Sequence, residues 1–328
     1  ADPFWPVKAQ MGHSEDIVPC IRCLQCYHVS TDHKNVQCSV NPRFNREKRV
    51  PLILPVTGHP KHLVIVGGGP AGITCALTAS RRGHQVTLLE KEPVLTGKLN
   101  IACHGEHKAD LRRFRDYLLT QLRKSSVTVH TGVLADTDVV RGLKPDALVI
   151  AVGATPSRIP LPGVDGDNCM QISEFLQSPD TSLQHYIIIG GGSVGCETAL
   201  DLAEKGKDVS IIEMADCLAS ASNDLYRLAL SEHFARYDNL HTYLNSACQS
   251  IDADGVNVLT NGASTHISGD KVLLSLGFRP DAKQVSSLYG IVPDTYYVGD
   301  CERVATVAEA VNNAYFIGAN VFQEQDII

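Results

Sequence analysis

The sequence predicts an α/β fold of two open parallel-sheet domains, preceded by a cysteine-rich segment. Three observations predict it. A short apolar, β-branched run ending in glycines occurs twice, at Leu63–Val66 and Tyr186–Ile189, as in strands buried on both faces of a parallel sheet. Each run opens the same unit of strand, glycine turn, helix and second strand. The chain has 328 residues, 44% apolar and 20% charged, enough for about two domains with ordinary cores that need no disulfide or metal staples.

Taken in order, residues 1–55 are rich in Cys, His, Pro and Arg and show little periodicity. The stretch 43–60 reads as a linker, because Pro51, Pro55 and Pro60 prevent a continuous helix or central strand. The first unit follows: strand 61–66, a helix running to Arg82 and Gly83, and strand 85–90. Leu111, Phe114, Leu118 and Leu122 recur at helical spacing in 110–124, and the arginines among them read as a solvated face. The second unit is strand 186–189, a helix to Lys205 and Gly206, and strand 208–213. Gly83 and Gly206 stand where a helix C-terminus needs a left-handed residue.

The glycine turns carry the chemistry. In Gly67-x-Gly69-x-x-Gly72, the first glycine makes a tight turn, the second lets backbone approach a pyrophosphate, and the third packs helix against strand. The helix then offers unbonded N–H groups and a partial positive charge to the phosphates. Glu90, at the end of the next strand, lies where a carboxylate accepts ribose hydroxyls. Gly190, Gly192, Gly195 and Glu213 repeat the scheme at the same spacing. One such motif is a weak signal, and two turns that merely pack are the plain alternative. The acid recurring in both copies favours two dinucleotide sites, hence two Rossmann-like domains. A carboxylate at the ribose edge repels a 2′-phosphate, so Glu213 predicts NADH over NADPH, softened by nearby Lys205 and Lys207.

Charge and composition exclude other classes. Lys and Arg total 29 against 36 Asp and Glu, a net charge of −7, the wrong sign for binding a phosphate backbone. No window is long and apolar enough for a transmembrane helix. The start, Ala1 to Pro6, lacks an initiator Met and a signal-peptide profile and reads as the continuation of a longer chain. The 11 cysteines are too sparse for a disulfide scaffold, and the expectation is a reduced, cytoplasmic protein with one metal site.

That site is Cys20, Cys23 and Cys26, spaced C-x2-C-x2-C, with Cys38 following. Four thiolates from one short segment bind one [4Fe–4S] cluster or one zinc ion. Zinc prefers two pairs, and two redox dinucleotide sites in the same chain favour iron–sulfur. Unligated structural cysteines remain the bland reading. His28 and His33 inside the loop read as solvated groups.

Two sites of this kind in one chain resemble the two-dinucleotide-domain flavoproteins, the pyridine nucleotide–disulfide oxidoreductase-like fold. Leu148–Arg158 looks like the strand and turn that close that family's FAD domain, Lys271–Asp281 like its return crossover, and Tyr296–Cys301 like the strand whose Asp, here Asp300, holds the ribityl chain of FAD. The resemblance implies a discontinuous FAD domain at 56–157 plus 279–328, with an NAD domain at 158–278 between. It adds Pro70, Ala71, Lys91, Gly97, Lys98, Leu99, Ala151, Val152, Gly153, Gly299, Thr306 and Val307 to the FAD site, the last two at the start of a helix facing the isoalloxazine. For Lys98, a flavin contact and a plain loop lysine are both open. Ser193, Val194 and Gly277 join the NAD site. The disulfide-reductase branch fits poorly, because Cys103, Cys196, Cys217 and Cys248 form no close pair and read as small buried apolar residues.

With the cysteine cluster in front, the order resembles the C-terminal half of the old-yellow-enzyme-like iron–sulfur flavoenzymes, which include 2-enoate reductase, 2,4-dienoyl-CoA reductase and trimethylamine dehydrogenase. Residues 1–9 resemble the end of their N-terminal TIM barrel. The cysteine spacing is nearest trimethylamine dehydrogenase, while the residues around it look more like enoate reductases. The barrel itself is absent from this sequence. The resemblance implies an NADH-dependent module that passes electrons from FAD through the cluster to FMN in a TIM-barrel domain or subunit, which reduces an activated C=C bond of a small unsaturated substrate. Hydride transfer needs no general base, so no catalytic acid or base is expected in this chain. Partners from nucleic acid or membrane are not expected, and a homo-oligomer stays open. Three alternatives stand beside this: a subunit like the small subunit of glutamate synthase, a scaffold whose first site holds only ADP, and a zinc-stapled, FAD-only protein.

Overall fold

The computed structural model describes residues 1–31 and 34–322. In chain order the helices are α1 (Trp5–Gln10), α2 (Gln25–Thr31), α3 (Pro70–Arg81), α4 (Leu99–Ala102), α5 (Ala109–Lys124), α6 (Thr137–Gly142), α7 (Ile172–Gln177), α8 (Ser193–Glu204), α9 (Asp224–Phe234), α10 (Ala282–Leu288) and α11 (Val307–Asn320). The first strands are β1 (His62–Val66), β2 (Gln85–Glu90), β3 (Thr128–Thr131), β4 (Ala147–Ile150) and β5 (Ala154–Pro156). Next come β6 (Cys169–Gln171), β7 (His185–Ile189), β8 (Asp208–Ile212), β9 (Leu240–Tyr243) and β10 (Ser246–Asp252). The last are β11 (Gly255–Thr260), β12 (Ala263–Ser268), β13 (Lys271–Leu274), β14 (Phe278–Pro280) and β15 (Thr295–Tyr297).

The chain divides into two units: 1–103 with 107–155 and 279–328, and 156–278 with 104–106. Unit 1 holds a five-stranded parallel sheet in the order β15-β4-β1-β2-β3. Alternate residues of β1 feed opposite faces. Leu63 and Ile65 join Ile73, Leu88 and Phe114 on one side, and Val64 and Val66 join Leu148, Ile150 and Leu288 on the other. Both faces are therefore core, which is why the strand reads as unbroken apolar sequence. α11 lies close on α3, and Gly318 permits it: a Cβ there would stand 2.7 Å from the Cys75 carbonyl oxygen.

The cysteine segment folds against this same unit. Val40 is buried in the first of those cores, with Val18, Ile21 and Cys38 packed against it. Arg22 and Arg113 both pair with buried Asp110 on α5, and Lys124 Nζ reaches Asp16 (2.7 Å) and Glu15 (3.0 Å). The arginines of α5 are thus not merely a solvated face, since Arg112 also donates to the Cys103 carbonyl at 2.9 Å. The predicted linker, 43–60, forms no helix or strand.

Unit 2 holds a second parallel sheet, β6-β13-β7-β8-β9, and a three-stranded antiparallel meander, β10-β11-β12. The two segments that carry the chain between the units, β5 and β14, form a two-stranded sheet. Among the described residues, no helix is long and apolar enough to cross a membrane.

Candidate functional site

The first glycine turn joins β1 to α3 at the carboxyl end of the unit 1 sheet. Gly67 takes φ +113, and a Cβ there would lie 2.2 Å from the Ala151 carbonyl oxygen. A Cβ on Gly72 would lie 1.9 Å from the Gly67 carbonyl oxygen, so α3 can approach the turn only without a side chain. Gly69 has no atom within 4 Å of a Cβ position. The turn is therefore tight at its ends and open in its middle, where a diphosphate would approach. Gly69 caps α3 without any side-chain hydrogen bond, and Pro70 occupies the first helical turn. Ala71 and Gly72 follow it there, in the first turn, where helix N–H groups lack intrahelical partners.

Glu90 is buried at the end of β2. Its Oε2 accepts from Gly68 N–H at 2.7 Å and its Oε1 from Glu92 N–H at 2.8 Å. A carboxylate has about four acceptor sites, so two remain for ribose hydroxyls. Lys91 beside it is exposed.

Three other predicted segments meet this turn, and a fourth is tied to the last of them. Ala151 N–H donates to the Val66 carbonyl at 2.8 Å, bringing Ala151, Val152 and Gly153 beside β1. Thr96 N–H donates to the Gly68 carbonyl at 2.7 Å, and Gly97 lies against Gly69. Gly299 meets the Ala71 side chain. Lys98 and Asp300 form an ion pair, so the lysine is held by the aspartate expected to bind the ribityl chain. Leu99 is buried at the start of α4. Asp300 Oδ1 accepts from Ala305 N–H at 3.1 Å, one residue before Thr306, which caps α11 at Val307 in a capping box with Glu309.

The second turn, between β7 and α8 in unit 2, repeats the first nearly bond for bond. Gly190 takes φ +106, Gly195 stands against the Gly190 carbonyl, and Gly192 has open space at its Cβ position. Gly192, Ser193 and Val194 are exposed. Glu213 Oε2 accepts from Gly191 N–H at 2.6 Å and Oε1 from Ala215 N–H at 2.8 Å. Sequence reasoning missed Ser275, whose N–H donates to the Ile189 carbonyl at 2.8 Å and whose carbonyl closes on Gly190, as Ala151 does in unit 1. It also missed Ala219, which matches Thr96 in clasping the turn: its N–H donates to the Gly191 carbonyl at 2.7 Å. Aligning the two repeats beyond their acidic residues would have found both. Gly277 takes φ +74, and its carbonyl accepts from Ser157 N–H. Glu197, on the second turn of α8, accepts from Tyr226 Oη at 3.0 Å.

The cysteines are less assembled. Cys20, Cys23 and Cys26 are exposed and Cys38 is half-buried. Among the described residues, no three His, Cys, Asp or Glu side chains stand together at metal-holding distance. Thiol ligands are drawn together by the ion they share. Arg22 and Leu24 both take positive φ (47 and 57) between the cysteines, a conformation costly for side-chain-bearing residues. Burial pushes the Cys38 thiol up, while the N–H groups of Val40 and Asn41 turn toward its sulfur and oppose that. Four thiols in so short a span, one already faced by N–H donors, fit a cluster. His33 lies outside the described residues, and His28 is half-buried on α2. None of the 11 cysteines forms a disulfide. Burial pushes the Cys196 thiol up to about 12 and that of Cys248 to about 11, which suppresses the thiolate. Cys217 and Cys248 are half-buried rather than fully buried as expected, Cys248 being packed against the core cluster around Val256 and Val258.

Residues 61–314 match the family model of the pyridine nucleotide-disulphide oxidoreductases. The chain belongs to that family. A NADH oxidase of Thermoanaerobacter brockii is 33% identical over 96% of this chain and 49% of its own length. A cinnamate reductase of Clostridium sporogenes is 28% identical over 98% of this chain and 48% of its own. A solved 2-naphthoyl-CoA reductase complexed with 2-naphthoyl-CoA covers 98% of this chain with a TM-score of 0.92 and 29% identity, over 49% of that chain. The chain thus spans about half the length of the relatives it matches, and their matching part is the C-terminal FAD/NAD reductase half. It is an oxidoreductase module of the FAD and NAD(H) class.

Proposed function

We propose that this chain is the NADH-dependent input half of an ene-reductase of the enoate type. In this reading, Cys20, Cys23, Cys26 and Cys38 would hold a [4Fe–4S] cluster, which would supply one-electron transfer between an FAD reduced by NADH and an FMN in a TIM-barrel domain or subunit. There an activated C=C bond of a small unsaturated substrate is reduced. The observation that carries the reading is the paired glycine turn, open at Gly69 and again at Gly192 and each backed by a carboxylate with acceptor sites to spare. FAD when bound supplies the conversion of a two-electron donor into one-electron steps.

The chain's own residues bind and orient. Gly69 and the first turn of α3 receive a diphosphate, Glu90 receives ribose, and the Lys98–Asp300 pair flanks the ribityl position. Gly192, Ser193, Val194 and Glu213 do the same for NADH, with Glu213 disfavouring a 2′-phosphate. The segment before residue 57 supports the partner. It carries half of the exposed large apolar residues among those described, including Trp5, Met11, Tyr27 and Ile53, which such a partner would cover. The cysteines without disulfides fit a reducing compartment such as the cytoplasm.

The test is an anaerobic visible spectrum of the purified chain before and after NADH. The expected result is a flavin band on a broad brown absorbance, bleached by NADH and not by NADPH. A colourless protein, or a flavin indifferent to NADH, would refute the reading. Within it, Cys23→Ser is expected to leave flavin bleaching intact and to stop electron transfer onward to the FMN partner.

A further inference from the structure

We propose that Asn312, held by Arg46, is a positioning residue that fixes the Cys38 end of the cysteine loop on the helix whose N-terminus faces the flavin position. The proposal rests on the iron–sulfur reading above.

Asn312 lies within α11 and is 6% exposed. Its Nδ2 donates to the Cys38 carbonyl at 3.1 Å and to the Ala308 carbonyl at 2.8 Å. Its Oδ1 accepts from Arg46 Nη1 at 2.9 Å. Both donors are used and the oxygen is met by a cation, so the buried amide is satisfied. An apolar residue would suit a helix interior better than asparagine. The polar network must therefore do what packing cannot, which is to fix the register of a segment that has no regular structure of its own.

The fixing is two-pronged. Arg46 also donates to the Pro42 carbonyl at 3.0 Å, and its guanidinium lies 5.1 Å from the Phe316 ring centroid. Asn312 and Phe316 are one turn apart on α11, so this helix grips residues 38–46 at two levels. Between the grips the chain turns so that Val40 and Asn41 N–H groups meet the Cys38 sulfur. Groups that orient a metal ligand without touching the metal set its affinity and its potential. The cap of α11, Thr306, stands six residues before Asn312, or about 9 Å along the axis. One helix thus carries both the flavin-facing turn and the hold on Cys38. Arg46 also brings a positive charge to that hold.

The experiment compares iron release from the purified chain to a chelator, under anaerobic conditions, with FAD content measured beside it. Asn312→Leu is expected to release iron about tenfold faster than the unaltered chain while retaining FAD. Arg46→Leu is expected to release iron faster too and to lower the cluster's reduction potential in an EPR-monitored titration, because a cation is removed. Arg46→Lys should restore the potential. Unaltered release and potential in Asn312→Leu would overturn the proposal. Should that variant fail to fold, unaltered release and potential in Arg46→Leu would overturn it instead. A starting protein with FAD and no iron would overturn the iron–sulfur reading, and this role with it, which is a separate outcome.

Discussion

Gly69 and Gly72 stand on one turn and answer to different constraints. A methyl group at Gly69 meets nothing within 4 Å, whereas at Gly72 it would fall 1.9 Å from the Gly67 carbonyl oxygen. Gly69→Ala should therefore fold with an unchanged melting temperature and lose FAD, because the methyl enters only the space left for a diphosphate. Gly72→Ala should cost about 1–3 kcal/mol by overpacking, or more where the turn cannot give. Thermal melts paired with flavin content check both, and a Gly69→Ala protein with full flavin would refute the phosphate role. Gly192→Ala should weaken NADH binding and leave FAD in place. At Glu213, Gln keeps the shape and an acceptor for Gly191 N–H but removes the charge, so the preference for NADH over NADPH should narrow, measured as the ratio of flavin bleaching rates. The spacing of these residues was legible in sequence. The second task of each carboxylate, holding the turn through Gly68 or Gly191 N–H, was not, because it depends on a strand end lying beside a turn 22 residues away.

At the scale of elements, the cysteine segment is tied to α5 through Asp110. Burial alone would raise the Asp110 carboxyl, but hydrogen bonds from the Arg22 and Arg113 guanidiniums outweigh it and hold it below the usual range. A carboxylate whose folded pKa is lowered contributes stability that is full above its unfolded value, about 3.9, and is lost as pH falls through the folded value. Lys124 holds Asp16 low in the same way at the other end of α5. Acidification below about pH 4 should therefore release the cysteine segment before the parallel sheets open. Hydrogen exchange followed by mass spectrometry would detect this as early exchange confined to residues before 56. Asp110→Asn should bring that release to neutral pH at a cost of about 1–3 kcal/mol, and no change in exchange there would show that the pair does not anchor the segment. The amphipathic period of α5 was plain in Phe114, Leu118 and Leu122. The partnership of its arginines was not, since the pairing of Arg22 with Asp110 spans 88 residues and leaves no periodic trace. The spacing of the four cysteines predicts a ligand set, but spacing says nothing of how close the thiols stand, and among the described residues they do not stand at metal-holding distance.

For the whole molecule, the two repeats were visible because each parallel strand is buried on both faces and reads as unbroken apolar sequence. The antiparallel meander was not, because β10 runs through Ser246, Cys248, Gln249 and Ser250 with weak alternation and a bulge between Cys248 and Ser250. The same architecture makes a strong prediction. Unit 2 from 156 to 278 is one continuous excursion of the chain with its own parallel sheet, and its buried residues form clusters of their own around Ile188, Leu202 and Val256. Its two ends leave through β5 and β14, which pair with each other, so the ends lie together, as tolerated insertions require. The excised segment 156–278 should therefore fold alone, melt cooperatively by circular dichroism and bind NADH through Gly192 and Glu213 without binding FAD. The complementary chain, with Thr155 joined to Arg279 by a short glycine-rich link, should keep FAD and lose all response to NADH. An unfolded 156–278 segment would mean that its two core clusters are not sufficient by themselves. A joined remainder still bleached by NADH would mean that the nicotinamide nucleotide is not held by the second glycine turn.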